Sequence, residues 1–275
     1  QFKENITTIE NHCFANNQKL KYINLPSNIL YIRNSAFENC TNLTKINLPY
    51  DLEFIGDYAF RNCKNLTNIK LNNLLEHIGK YSFSNCSNIE NIFLPHSLKS
   101  MSEAVFYNCA NLQRANIPDS IKYVPAGSFS KCPKLEKVTL HNKITAIEEY
   151  AFAGCSRLDS ITIPWTCASI GSRAFSHCHS LSKIDLKAKS LRIDPLAFYN
   201  CENIYYIDLL CVYQIGRKAF ANCTNLSYIS LGKELKTISN YAFENCSSLF
   251  KVVIPQSVTK IGKSIGATLM YPVLL

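Results

Sequence analysis

The chain has 275 residues, 47% of them hydrophobic and 18% charged, a balance that excludes a disordered polymer. No run of about 18 or more apolar residues occurs, so no membrane-spanning helix is encoded within it. A formal charge of +9 raises a nucleic-acid partner as a question that the placement of the charges must answer.

In chain order, the first complete unit begins at Ile29. Ile29 and Ile32 precede Ala36 and Phe37, and Asn39, Cys40, Leu43, Ile46, Leu48 and Pro49 follow. The phenylalanine then returns at fixed intervals: Phe14, Phe37, Phe60, Phe83, Phe106, Phe129, Phe152, Phe175 and Phe198 are 23 residues apart, and after one step of 22 come Phe220 and Phe243. The unit reads I-x-x-I-G-x-x-A-F-x-N-C-x-x-L-x-x-I-x-L-P. A period of this length marks stacked repeats, each touching only its neighbours, and so predicts one elongated solenoid over residues 1–261. Residues 262–275 lose the pattern. From Ile265 to Leu275 they carry no charge, as a degenerate last repeat or the start of a truncated hydrophobic segment would. The chain opens at Gln1 in mid-repeat, as a fragment or a processed form would.

Within each unit, L-x-x-I-x-L predicts a short half-buried strand, stopped by proline at Pro26, Pro49, Pro95, Pro118, Pro164 and Pro255. I-x-x-I predicts a second extended piece. Gly56, Gly79, Gly171, Gly216 and Gly262 follow it, expected as turn residues at positive φ. Between the two lies A-F-x-N-C, too short for a regular helix and expected as a helical or 3₁₀ turn with Ala, Phe and Cys facing inward. Its recurrent asparagine is expected to hydrogen-bond turn backbone.

Ten of the thirteen cysteines are one template column: Cys40, Cys63, Cys86, Cys109, Cys132, Cys155, Cys178, Cys201, Cys223 and Cys246. Side chains in register point parallel, so the column predicts a buried ladder of free thiols rather than disulfides. Cys13 and Cys167 fall on core positions, and Cys211 lies off the template. The cysteine count therefore leaves the redox compartment open.

Catalytic motifs are missing: there is no G-x-G-x-x-G, P-loop, H-E-x-x-H or G-x-S-x-G. His177 and His179 flank Cys178, but a ladder cysteine points inward and its neighbours outward, which argues against a metal centre. Eight glycosylation sequons, at Asn5, Asn39, Asn42, Asn65, Asn85, Asn222, Asn225 and Asn245, mostly follow from the repeat itself.

The variable positions are the outward columns of L-x-x-I-x-L. They include Lys21, Lys45, Asn68, Lys70, Arg114, Lys137, Lys183 and Lys251, with Glu90, Glu136, Asp159, Asp185 and Asp208 among them. Mixed signs along the whole face argue against a phosphate-tracking groove and a nucleic-acid partner. The candidate partner-binding residues are Tyr205, Tyr206 and Tyr228, which repeat spacing makes adjacent, together with Asp208, Lys251 and the outward Phe93.

The unit resembles the 23-residue leucine-rich repeat of the BspA-like, surface-antigen type, which also ends in L-x-x-I-x-L-P and contains A-F-x-x-C. The match runs over residues 6–261 in eleven phenylalanine-centred units. Asn17 replaces the first Cys, and Asn72, His141, Lys187, Leu210 and Gly232 replace the Pro. The resemblance implies an α/β leucine-rich repeat solenoid that is rich in β, with a parallel sheet on its concave face and short 3₁₀ or helical turns. It also implies a non-catalytic, protein-binding module at the cell surface or secreted, serving adhesion or host and partner recognition. A glycan or an extracellular-matrix component is the other partner class, no cofactor is implied, and a cytoplasmic scaffold is the alternative reading.

Overall fold

The computed structural model describes residues 6–67 and 69–265; Asn5, Asn68 and the uncharged stretch 266–275 lie outside the described residues. It is a parallel β-solenoid of about eleven turns with the 23-residue spacing of leucine-rich repeats. The chain divides into two compact units, one reaching to Ile121 and including Pro125–Val138, the other formed by Lys122–Val124 with Thr139 onward.

Both extended pieces of the repeat form parallel ladders, and the more continuous one belongs to I-x-x-I, not to L-x-x-I-x-L. In the first unit Thr8–Ile9, Tyr31–Ile32, Phe54–Ile55, His77–Ile78 and Ser100–Met101 make a five-stranded sheet. In the second unit Tyr123–Val124, Ala146–Ile147, Ser169–Ile170, Leu191–Ile193, Val212–Ile215, Thr237–Ile238 and Lys260–Ile261 make a seven-stranded one. The L-x-x-I-x-L strands pair more locally, as Tyr22–Asn24 with Lys45–Asn47, Asn91–Ile92 with Arg114–Asn116, Ser160–Ile163 with Lys183–Leu186, and Tyr206–Leu209 with Tyr228–Leu231. A strand of two residues suffices when its neighbours lie above and below it, because each backbone group finds its partner in the adjacent coil.

The A-F-x-N-C segment is not helical, and no helix occurs among the described residues. Two residues of each unit, at Phe−2 and Phe+2, take φ near +60°: Ser35 and Asn39, Tyr58 and Asn62, Tyr81 and Asn85, Ala104 and Asn108 are examples. Two left-handed residues four apart turn the chain sharply twice. Alternate N–H groups then close local turns, as Glu38 to Ser35 and Cys40 to Phe37, while those between reach the next coil, as Phe37 to Ala59 at 2.7 Å and Asn39 to Arg61 at 2.8 Å. A 3₁₀ turn would spend every N–H inside the coil, whereas this arrangement sends half of them across.

This geometry explains the asparagine column, because Asn adopts the left-handed region at less cost than other residues with a Cβ. Its amides do not serve turn backbone, as expected from sequence; they bond one another. Asn39 donates to Asn16 (2.8 Å), Asn62 to Asn39 (2.6 Å), Asn85 to Asn62 (2.8 Å) and Asn108 to Asn85 (2.7 Å), and Asn245 to Asn222 to Asn200 repeats the pattern in the second unit. The glycines after I-x-x-I are also corrected. Among the described residues, positive φ at glycine is confined to Gly127 and Gly154. Gly56 and Gly79 are instead pressed on the preceding coil: a Cβ at Gly79 would lie 2.5 Å from the Asp57 nitrogen and the Gly56 carbonyl carbon. Close approach, not backbone freedom, selects glycine there.

The core is an aromatic column. Consecutive phenylalanine rings lie 5.0–5.7 Å apart, from Phe14 to Phe129 in the first unit and from Phe152 to Phe243 in the second, with planes within 16° of parallel. All thirteen cysteines are free. Ladder thiols donate to the phenylalanine carbonyl of the preceding coil, as Cys63 to Phe37 (3.1 Å), Cys109 to Phe83 (3.2 Å) and Cys201 to Phe175 (3.0 Å). That carbonyl also takes the N–H of its own coil's cysteine, so both of its lone pairs are used. Burial pushes the thiols up, Cys132 and Cys201 to about 12, and leaves them protonated and unreactive. Cys167 is buried as expected, but Cys13 is exposed.

The single 22-residue step is absorbed next to Cys211. Leu191 pairs with Val212 while Arg192 pairs with Gln214, a bulge that gives back one residue after the connecting loop has lost two. The phenylalanine and asparagine columns pass this point in register.

Candidate partner-binding face

On the L-x-x-I-x-L strands the alternation is observed as expected: Tyr206 is exposed, Ile207 buried, Asp208 half-buried and Leu209 buried. Two of the candidate tyrosines are in direct register, Tyr206 beside Tyr228, and Asp208 beside Ser230. Tyr205 crosses to the next strand and packs edge-on against Tyr228, with ring centroids 5.5 Å apart. A hydrogen bond with Tyr228 pushes the Tyr205 phenol above its ordinary range. Tyr206 and Ser230 share a hydroxyl contact of 3.3 Å. The three tyrosines keep 46–56% of their surface exposed, so about half of each faces solvent.

Phe250 extends this group and was not singled out from sequence. Its ring meets Tyr228 edge-on at 5.2 Å and is 57% exposed. The signal was present, since Phe250 occupies the same template column as Tyr205. Asp208 is partly spent, its carboxylate accepting the Leu210 N–H at 3.0 Å, which makes it a turn cap at the margin of the group. Lys251 is exposed directly after Phe250. Phe93 is 69% exposed but belongs to the first unit, and its strand neighbour Asn116 is tied to Leu94 backbone at 2.8 and 3.0 Å.

The turn edge of the first unit carries a second aromatic group that sequence reasoning missed. Tyr58 and Tyr81 stack at 5.6 Å, Tyr107 meets Tyr81 edge-on, and Arg61, Lys80 and Lys131 each lie over one of these rings. The signal was again periodic, because Tyr58, Tyr81, Tyr150 and Tyr241 all stand two residues before a phenylalanine. Arg61 and Lys80 are also paired with Glu38 and Glu103, so this edge is largely self-satisfied.

No group of three or more metal-ligating side chains occurs among the described residues. Cys178 is buried with its thiol on the Phe152 carbonyl, and His179 faces Glu202 at 3.4 Å. No described helix is long and apolar enough to cross a membrane.

Parallel coils of this period, with a buried aromatic and thiol spine and a variable outward face, define a leucine-rich repeat solenoid. The model of the BspA type leucine-rich repeat region matches in six copies over residues 7–136, 123–212 and 206–266, and the chain belongs to that family. Among solved structures, it is similar to a leucine-rich repeat protein from Bacteroides ovatus at 27% identity and a TM-score of 0.72, over 95% of this chain and 80% of the other. It is also similar to one from Eubacterium ventriosum (26%, TM-score 0.65, over 99% and 84%) and to a leucine-rich cell surface protein from Faecalibacterium prausnitzii (26%, TM-score 0.55, over 93% and 73%). No curated protein matches the chain. Leucine-rich repeat proteins are generally protein-interaction modules.

Proposed function

We propose that this chain is a non-catalytic recognition module that binds a protein partner through the aromatic group of its second unit, and that it acts at the cell surface in adhesion or partner recognition. The observation that carries the reading is the cluster of Tyr205, Tyr206, Tyr228 and Phe250, four large rings left exposed on successive coils of a scaffold whose other large rings are mostly covered. Aromatic rings on a rigid surface lose little entropy on binding and dominate interface energies. The surface location is supported by the Faecalibacterium relative, which is described as a cell surface protein.

The test uses peptides selected from a random display library against the folded chain. Peptides that engage the aromatic group lose affinity roughly 30-fold or more with Tyr206→Ala/Tyr228→Ala, the cost of an interface hot spot. If the double variant folds and binds every selected peptide unchanged, the aromatic group is not the recognition surface.

A further inference from the structure

The charges on the L-x-x-I-x-L face look mixed when summed over the whole chain, but they are sorted along it. In the first three coils the outward positions are Lys21, Tyr22 and Asn24, then Thr44, Lys45 and Asn47, then Thr67 and Lys70, with Asn68 outside the described residues. No acid is among them. The four acids of residues 18–72 lie elsewhere: Glu38 pairs with Arg61 (3.5 Å), Glu53 accepts from the Tyr31 hydroxyl (3.3 Å), Asp57 accepts the Lys80 N–H (2.7 Å), and Asp51 sits in the loop after Pro49. Lys21, Lys45 and Lys70 are exposed and make no ion pair among the described residues. Each stands further along its repeat unit than the one before, so the three lysines run diagonally across the coils, with Cα steps of roughly 6 and 8 Å at the spacing of extended chain.

Between them lies an open groove of about 580 Å³ lined by Thr44, Lys45, Ile46, Asn47, Leu48, Thr67 and Lys70. Its polar lining offers acceptors as well as donors. The Thr44 and Thr67 hydroxyls spend their protons on the backbone carbonyls of Lys21 and Thr44, which leaves their oxygen lone pairs outward. Asn47 donates to the Asn24 amide oxygen at 3.1 Å and keeps its own oxygen free to accept. At the groove's edge the Tyr22 ring is 71% exposed. We propose that this face is a binding site for an acidic glycan, a saccharide chain carrying carboxylate or sulfate groups. Its anions pair with the lysines, its hydroxyls donate to the threonine and asparagine oxygens, and a sugar C–H face covers Tyr22. A DNA backbone or a polyglutamate chain supplies the anions without the hydroxyl donors, and a single exposed ring is no platform for successive bases.

The experiment measures binding of the folded chain to an immobilised heparin oligosaccharide, beside single-stranded DNA and poly-L-glutamate of matched charge. The wild type binds heparin best, and Lys45→Gln/Lys70→Gln weakens it at least tenfold and flattens its salt dependence in proportion to the positive charge removed. Lys183→Gln/Lys233→Gln, a change of equal charge in the second unit, leaves heparin affinity unaltered. Circular dichroism checks that the exposed lysine variants fold. The proposal is overturned if the wild type does not bind heparin, if the two double variants lose affinity equally, or if DNA or polyglutamate binds as tightly as heparin.

Discussion

The turn edge and the strand face of one coil have opposite relations to sequence. At the turn edge nearly every position is fixed, with a stacked ring, a thiol on a carbonyl, and an asparagine held left-handed by geometry and by its neighbour's amide. On the strand face only the inward residues are fixed, and the outward ones range from Lys45 to Phe93 to Asp185 on the same scaffold. Fixed packing is concentrated in the first region and variation in the second. This division lets a repeat protein change its ligand while its fold is preserved.

The comparison is broken most directly by removing a ring from the spine. Phe83→Ala, between Phe60 and Phe106, should cost about 3–5 kcal/mol in chemical denaturation. Next comes close packing at the turn: Gly79→Ala places a Cβ 2.5 Å from the preceding coil and should destabilise by roughly 1–3 kcal/mol. Asn85→Ala loses both the left-handed preference and two amide bonds, for roughly 1–3 kcal/mol. Asn85→Gly restores only the backbone and should recover part of it, so the difference between the two measures the left-handed preference, and the loss that remains in Asn85→Gly measures the amide ladder. On the strand face, Tyr206→Ala/Tyr228→Ala should change stability by no more than about 1 kcal/mol, in contrast to its effect on binding.

The thiols sharpen the same contrast by pH. Cys132 rises from 9.0 to about 12 on folding, so the unfolded chain releases its proton first. The stability it contributes is complete below pH 9 and is lost as pH rises from there toward 12. The denaturant midpoint should fall over that window, and less steeply in Cys132→Ala. Below pH 8, a thiol reagent should label the exposed Cys13 in the native state and the ladder only after unfolding.

The repeat, the buried columns and the free thiols were legible from the phenylalanine and cysteine spacing alone. The path of the backbone through A-F-x-N-C was not. A column of Asn reads equally well as a side-chain cap or as a left-handed residue, and only the second φ-positive position, held by residues as different as Ser35, Tyr58 and Lys218, reveals a double turn. The glycines misled for a related reason, since close approach by a neighbouring coil leaves no trace in local sequence. At the site, Tyr205, Tyr206 and Tyr228 were legible because repeat spacing makes them neighbours. Phe250 was passed over because that column was read less closely, and the sorting of lysines was hidden by summing charge over the whole face.

The bulge beside Cys211 shows where this architecture tolerates a change of length. Residues were dropped from the corner joining one ladder to the other, yet the rings and amides beyond it kept their order. That corner can therefore accept grafted peptides or shortened connections without dephasing the coils that follow. The same change inside A-F-x-N-C would break that coil's ring, thiol and amide contacts with its neighbours.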